Sequence, residues 1–215
     1  MKSLVGNLLT KKKIYLSVFE KSLLLGLVLS LLLTMTGFSG QCKAIENQVF
    51  RFHVLANSDS EEDQALKLKV RDRVLEYSEE LFQTAETRED AEALAAAHLQ
   101  ELRQVAQDEV YRQGYDYPVK AELTNMFFDT REYETVTLPA GYYDALRITI
   151  GEAKGHNWWC VMFPPMCLPA AEESQELSDV LSDSQMEMVE NGDKYQVKFF
   201  AVELFEKVKN WFQDR

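Results

Sequence analysis

The sequence predicts an α+β protein: a mixed, largely antiparallel sheet, a helical hairpin after the first strand, a C-terminal helix, and an N-terminal signal or anchor helix outside the domain. Three observations support this fold class. Residues 22–41 carry no charge, residues 61–114 repeat apolar side chains every three or four positions, and residues 117–163 contain runs of alternating apolar and polar side chains. We therefore divide the chain into residues 1–44, a signal peptide or N-terminal membrane anchor, and residues 45–215, a single α+β domain.

The N-terminus has the features of an export signal. Three consecutive lysines, Lys11, Lys12 and Lys13, precede the uncharged stretch, and small residues after it allow cleavage following Ser39 or Ala44. The stretch is also close to the minimum length of a membrane-spanning helix. A cleaved signal peptide and a retained single-pass anchor both remain open, and either places the domain outside the cytoplasm.

Charge is distributed unevenly along the chain. Residues 1–46 contain six Lys and two Glu, whereas the remaining residues contain 17 Lys or Arg and 33 Asp or Glu. A body this acidic repels phosphate backbones, and the sequence has no concentrated basic stripe. We therefore predict that the protein binds no nucleic acid.

The first half of the domain predicts one buried strand followed by two helices. Residues 49–57, rich in aromatic and β-branched side chains, predict the strand. Ser58 and Glu61 form a capping box for the first helix, and Thr87 caps a second helix that ends at Gly114. The stripe that the first helix should bury against the sheet consists of Leu66, Val70, Val74, Tyr77 and Leu81.

The second half predicts several strands joined by short turns. Residues 119–124 and 146–150 alternate between apolar and polar side chains, and residues 157–163 form a third apolar run. The segment "LPAGYY" at 138–143 predicts a turn. Short connections favour antiparallel pairing between consecutive strands, so we expect a meander.

The C-terminal part predicts helices. Residues 170–193 contain eight acidic residues and no Lys or Arg, which predicts an exposed linker or a solvated helix, with Ser182 and Gln185 as a capping pair. The last 20 residues carry apolar side chains at helical spacing, which we expect to pack against the domain. These side chains are Val197, Phe200, Leu204, Val208 and Trp211, and Phe199, Phe205 and Phe212 widen the face. Two alternatives stay open: a strand that starts at Val197, and a helix that lies on a membrane surface.

Two of the three cysteines suggest alternative chemistries. An exported location permits a disulfide between Cys160 and Cys167, and Pro164-Pro165 between them bends the chain. The pair could instead be two buried thiols. A third reading is a secreted Cys-His hydrolase acting on cell-wall peptide, in which His53 activates Cys160 from a neighbouring strand. The sequence contains no metal-binding or cofactor-binding motif, so we predict neither metal nor cofactor.

Polar residues gather around the end of the first predicted strand. Asp63, Lys67 and Arg71 recur every four positions, so they line one edge of the first helix and can form an ion-paired row. Together with Arg51, His53, Asn57, Asp59 and Gln64 they form either a solvated salt-bridge ladder or a recognition surface beside the sheet.

Three segments carry a resemblance to a known family. "FRFHVLANSDSEEDQALKLKVRDRVL", "LPAGYYDALRITIGEAKGHNWWCVMFPPMC" and "KFFAVELFEKVKN" resemble the stage II sporulation protein R family of endospore-forming Firmicutes. The likeness extends from about Val49 to Phe212. It implies a signalling protein made in the forespore, exported across the forespore membrane into the space between the two cells, and not an enzyme.

The resemblance also implies a partner. Family members activate a membrane-embedded aspartic protease of the mother cell, which then cleaves the precursor of sigma factor E. Because neighbouring side chains on a strand point to opposite faces, Trp158 and Trp159 should separate, one toward the core and one toward this partner. If the N-terminal segment is not cleaved, it also contacts the membrane.

Overall fold

The computed structural model describes residues 2–133, 136–166 and 177–213, and the chain divides into two compact units. The first unit is Met1–Gln41, and its described residues lie in one long helix, α1 (Lys2–Glu46). Within the described part of the chain, Val18–Glu46 is the one helical stretch long and apolar enough to cross a membrane. Apolar side chains such as Leu23 and Leu27 are exposed along it, which fits either a signal peptide or an anchor.

The second unit, Cys42–Arg215, is the α+β domain. Its elements after α1 are β1 (Phe50–Leu55), α2 (Glu61–Phe82), α3 (Arg88–Ala97), α4 (Leu99–Arg112), β2 (Val119–Phe128), β3 (Arg131–Glu132), β4 (Thr137–Leu138), β5 (Gly141–Ile150), β6 (Asn157–Phe163), α5 (Leu177–Val180), α6 (Asp183–Glu190) and α7 (Gly192–Gln213). The predicted fold class is confirmed.

The main sheet is mixed and has the strand order β2-β5-β1-β6. β5 pairs antiparallel with β2 and parallel with β1, and β1 pairs antiparallel with β6. The expected meander is therefore wrong in one respect, because β1 lies between β5 and β6. All six residues of β1 are buried, so the strand gains most from a central position with both faces covered.

Helix α2 covers one face of the sheet as predicted, but its N-cap was misplaced. The Ser60 side chain accepts a hydrogen bond from the Asp63 backbone N–H and caps the helix. The predicted cap, Ser58, instead donates to the Asp63 carboxylate. Leu66, Val70 and Val74 of the predicted stripe are buried, and the other two members pack at the edge of the core.

The second predicted helix is interrupted. Thr87 forms the expected cap, reinforced by a capping box with Asp90, but His98 leaves the helical conformation and separates α3 from α4. Apolar side chains on both sides of the break join the same core. Gly114 ends α4 with a φ of 84°, a conformation that favours glycine.

The segment predicted as a turn before β5 is largely strand. Residues 141–143 belong to β5 and pair with residues 126–128 of β2. The adjacent tyrosines were interpreted as part of a turn, but their side chains lie on opposite faces of the sheet. Tyr143 is fully buried and Tyr142 is half-buried.

The C-terminal helices form largely where expected, but α7 presents the wrong face. Ser182 and Gln185 make the predicted capping box at the start of α6. In α7, Phe199 of the predicted face is buried together with Val202, whereas the other seven side chains of that face are exposed. The helix therefore packs on the domain as expected, but through a different side from the one predicted. Residues 167–176, which include part of the acidic segment, lie outside the described residues.

Candidate functional site

The two faces of the sheet differ in composition. The face under α2, α3 and α4 is apolar and includes Phe52, Leu146 and Cys160. Side chains alternate along each strand, so the opposite face, which we call the second face, carries Arg51 and His53 of β1 and Trp159 of β6. The buried polar side chains of Arg51 and His53 therefore lie on the second face.

Trp159 organises an aromatic group on the second face, which we call the Trp159 cluster (His53, Phe128, Arg131, Asn157 and Trp159). Its ring stacks on His53 with a centroid separation of 3.9 Å and meets the Phe128 ring edge-on at 4.8 Å. The Arg131 guanidinium lies 5.7 Å from the Trp159 ring centroid. Arg131 and Asn157 are exposed and Trp159 is half-buried, so the cluster reaches solvent.

His53 is the buried polar member of this cluster. Its Nε2 lies 2.9 Å from Asn157 Oδ1, and its Nδ1 has no hydrogen-bond partner among the described residues. Burial lowers the pKa of His53 to about 4, against the hydrogen bond with Asn157, which raises the pKa. The imidazole is therefore neutral at pH 7 and serves as a flat surface beneath Trp159.

The register of β1 and β6 separates the two members of the hypothetical Cys-His pair. The strands are neighbours, as that hypothesis requires, but Cys160 pairs with Phe52 and His53 pairs with Trp159. Cys160 therefore points into the helix-covered core, while the His53 ring lies on the second face. An imidazole on the opposite side of the sheet cannot take the thiol proton directly.

Arg51, a member of the predicted polar group, is a buried cation on the second face. Its Nη2 donates to Tyr133 Oη at 2.7 Å and its Nε donates to the Cys160 carbonyl at 3.2 Å. The guanidinium also lies 4.4 Å from the Phe128 ring centroid and 4.8 Å from that of Tyr143. Burial raises the pKa of both tyrosines, so they are neutral partners. In the sequence, the aromatic doublets at 127–128 and 142–143 were the available signal for this enclosure.

Asn57, Asp59, Asp63 and Lys67 form a clamp around the turn between β5 and β6, rather than a free recognition surface. Asn57 Oδ1 accepts from the Glu152 backbone N–H, Asp59 accepts from the backbone and ring of His156, and Lys67 donates to the His156 carbonyl. Asn57 and Ser58 both donate to the Asp63 carboxylate. These contacts explain the residues structurally.

The predicted ion-paired row of Asp63, Lys67 and Arg71 is wrong. Asp63 and Lys67 are buried, and their hydrogen bonds lie within the turn clamp (Asn57, Asp59, Asp63 and Lys67). Arg71 instead pairs with Asp72. Burial raises the pKa of Asp63, but the hydrogen bonds from Ser58 and Asn57 outweigh it and hold the pKa below its ordinary value. Burial lowers the pKa of Lys67.

The two tryptophans separate to opposite faces, as alternation predicts. Trp158 lies on the helix side, where its ring meets Phe52 edge-on at 5.9 Å and Arg71 covers it at 4.8 Å. The predicted partner surface thus divides into three places: Trp158 with Arg71, the turn clamp, and the Trp159 cluster. The last joins the predicted residues His53 and Trp159 to the exposed side chains of Arg131 and Asn157.

Of the two cysteines in the predicted disulfide, the structure describes Cys160. Cys160 is completely buried, and Cys167 lies outside the described residues, so the disulfide between them stays a prediction. Within residues 2–133, 136–166 and 177–213, no three His, Cys, Asp or Glu side chains come together in a way that could hold a metal ion.

Comparisons with known proteins agree on one family. The family model described as stage II sporulation protein R matches residues 46–173. A protein of Bacillus subtilis (strain 168) named stage II sporulation protein R is 30% identical over 216 residues, which covers 90% of this chain and 96% of that protein. No solved structure matches the chain.

Proposed function

Because the chain belongs to the stage II sporulation protein R family, we propose that it is an exported signal of endospore formation that activates a membrane-embedded aspartic protease of the mother cell. The activated protease then cleaves the precursor of sigma factor E. Family membership is the observation that carries this proposal. The signal acts by binding, which shifts the protease toward its active state.

The N-terminal helix supports the location that this function requires. Val18–Glu46 can serve as a signal peptide or as a single-pass anchor. In either case the domain crosses the forespore membrane and lies in the space between the two cells. An uncleaved helix would hold the domain at the forespore membrane surface.

The contacts of His53 support a signal rather than a hydrolase. Hydrolysis by Cys160 requires a base within hydrogen-bond reach of the thiol, and His53 is stacked under Trp159 on the other face of the sheet. A hydrolase would lose activity in a folded Cys160→Ser variant and gain activity from a reducing agent. A signal stapled by Cys160 and Cys167 would instead lose stability on reduction.

We assign the protease contact to the Trp159 cluster. Trp159 is aromatic, half-buried and held rigidly between His53 and Phe128, with the exposed Arg131 beside it. Rigid aromatic and arginine side chains dominate the binding energy of protein interfaces. Trp158 is also half-buried, but the Arg71 guanidinium covers its ring, and the ring contacts Phe52 of the helix-covered core.

The experiment is a reconstitution in non-sporulating cells that express this chain, the protease and the sigma-E precursor, with each component omitted in turn. Precursor cleavage that needs both the chain and the protease supports the proposal. Cleavage without this chain, or no cleavage although the chain is exported and folded, contradicts it.

Two variants locate the contact in the same assay. We expect Trp159→Ala to remain folded and lose most cleavage, and Trp158→Ala to lose stability because it opens the core edge. If Trp159→Ala is folded and cleaves normally, the Trp159 cluster is not the contact.

A further inference from the structure

The last turns of α1 contain two bonds that fit the pattern of a signal-peptidase site. Such sites have small residues one and three positions before the bond that is cut. Gly37 and Ser39 meet this requirement for cleavage after Ser39, and Cys42 and Ala44 meet it for cleavage after Ala44. Both motifs follow the same uncharged stretch, so the sequence alone does not distinguish the two bonds.

The end of α1 is part of the folded domain. Within the unit that begins at Cys42, the side chain of Cys42 is 1% exposed and Ile45 has no exposed surface. The buried carboxylate of Glu46 accepts a hydrogen bond from the Tyr142 backbone N–H, and a Cβ added at Gly141 would overlap this carboxylate. This end of the helix is therefore packed against the start of β5.

Cleavage after Ala44 would damage this packing in three ways. It removes the buried side chain of Cys42. It removes Lys43, whose Nζ lies 2.7 Å from Glu46 Oε2, and so takes away the ion-pair partner of a buried carboxylate. It also creates an ammonium group on Ile45, and a charge on a residue without exposed surface is strongly unfavourable. A chain that begins at Ile45 should therefore fold poorly.

Cleavage after Ser39 avoids each of these losses. Ser39, Gly40 and Gln41 are all exposed, so the new terminus would reach water. The buried side chain of Phe38 is removed by cleavage at either bond and does not distinguish them. Gly37 and Gly40 flank this bond, and glycine is a weak helix former, so the helix can open here into the extended conformation that a protease needs.

We propose that the chain is processed after Ser39, and that the mature protein keeps Cys42–Glu46 as the first helical turn of its domain. The released domain then begins at Gly40, retains all three cysteines and is free to leave the membrane through which it was exported. The proposal rests on the export step of the proposed function, and not on the protease partner.

The N-terminus of the exported protein tests the site. The full chain is expressed in an export-competent bacterial host, and the protein recovered outside the cytoplasm is examined by mass spectrometry and N-terminal sequencing. We expect Gly40 as its first residue. The same substitution before each bond provides a matched pair: Ser39→Leu should lower the processed fraction roughly tenfold, whereas Ala44→Leu should leave it unchanged.

A second pair of variants tests whether the end of α1 is part of the domain. Cys42→Glu places a carboxylate in a buried position and should lower the melting temperature of the exported domain by about 10 °C. Gln41→Glu, on the neighbouring exposed residue, should change the melting temperature little. Both residues follow the cleaved bond, so neither substitution should alter the processed fraction.

Three outcomes would overturn the proposal. The first is a folded exported protein that begins at Ile45, and the second is an exported chain that keeps its full mass. The third is an equal melting temperature for Cys42→Glu and Gln41→Glu, which would mean that the end of α1 is not packed in the domain. Precursor cleavage by an exported but unprocessed chain would reject the Ser39 site and leave the proposed function intact.

Discussion

Helices α2 and α7 have the same length, 22 residues, and both carry apolar side chains at helical spacing, yet the apolar face of α2 is buried and that of α7 is exposed. The stripe of α2 is buried under the sheet, with Leu66 only 2% exposed. The corresponding residue of α7, Leu204, is 51% exposed. Periodicity therefore predicts that an apolar face exists, but it does not predict what covers the face.

The polar residues of the two helices explain the difference. In α2 the side away from the sheet carries solvated charges such as Glu80. In α7 the carboxylate of Glu203 points toward the domain, where the Thr130 backbone N–H and Lys207 satisfy it. A polar group that supplies a needed backbone partner can orient a helix against its apolar pattern.

The comparison is tested most strongly by the same substitution in both helices. Leu66→Ala should lower the free energy of unfolding by about 3 kcal/mol, because it opens a cavity in the core. Leu204→Ala should change it by less than about 0.5 kcal/mol in dilute protein. Urea denaturation of both variants measures the difference, and equal losses would mean that α7 also packs through Leu204.

The start of α7 gives the next largest effect. A Cβ added at Gly192 would overlap the side chain of Thr137 in β4. Gly192→Ala should therefore destabilise the domain by about 2 kcal/mol through overpacking, although alanine is normally the better helix former. A rise in thermal stability would show that α7 is not held against β4.

Substituting one glutamate in each helix should give the opposite ranking, with the larger loss of stability in α7. Glu203→Gln weakens the hydrogen bond from Thr130 and removes the ion pair with Lys207, so we expect a loss of about 1.5 kcal/mol. Glu80→Gln on the exposed side of α2 is the matched control and should have little effect. If both variants are neutral, Glu203 does not orient α7.

The smallest effect concerns a buried polar group on the sheet. The pKa of His53 is about 4 in the folded domain and near 6.5 in the unfolded chain, so the unfolded state binds more protons between these values. Stability should fall by about 1 kcal/mol from pH 7 to pH 5.5 through this residue. Denaturation at both pH values should show a smaller fall in His53→Phe, and an imidazole NMR titration near pH 6.5 would contradict the account.

Local patterns predicted the elements better than their arrangement. The strands around residues 50–55 and 157–163 follow from their apolar runs, the strand at 119–128 follows from alternation, and the Thr87 cap follows from its own sequence. The insertion of β1 between β5 and β6 joins segments about 100 residues apart, and no pattern within one strand encodes it. The break at His98 was hidden for a similar reason, since helical apolar spacing continues across it.

The candidate site was predictable to the same extent. Alternation alone separated Trp158 from Trp159, and both rings lie where it places them. Asp63 and Lys67 were misassigned to an ion-paired row because their true partners, Ser58 and the His156 carbonyl, lie outside the helix repeat. The enclosure of Arg51 by aromatic rings from distant segments depends on tertiary contacts that spacing does not report.

The most direct test of the signalling role is to change only the compartment that the domain occupies. Cells containing the protease and the sigma-E precursor would receive the full chain, the domain from Cys42 behind an unrelated export signal, or the same domain retained in the cytoplasm. Precursor cleavage would be compared at equal levels of folded domain, measured by its resistance to an added digestive protease. The account predicts cleavage with both exported forms and none with the retained one. Equal cleavage by the cytoplasmic domain would contradict a signal that acts from outside the cell.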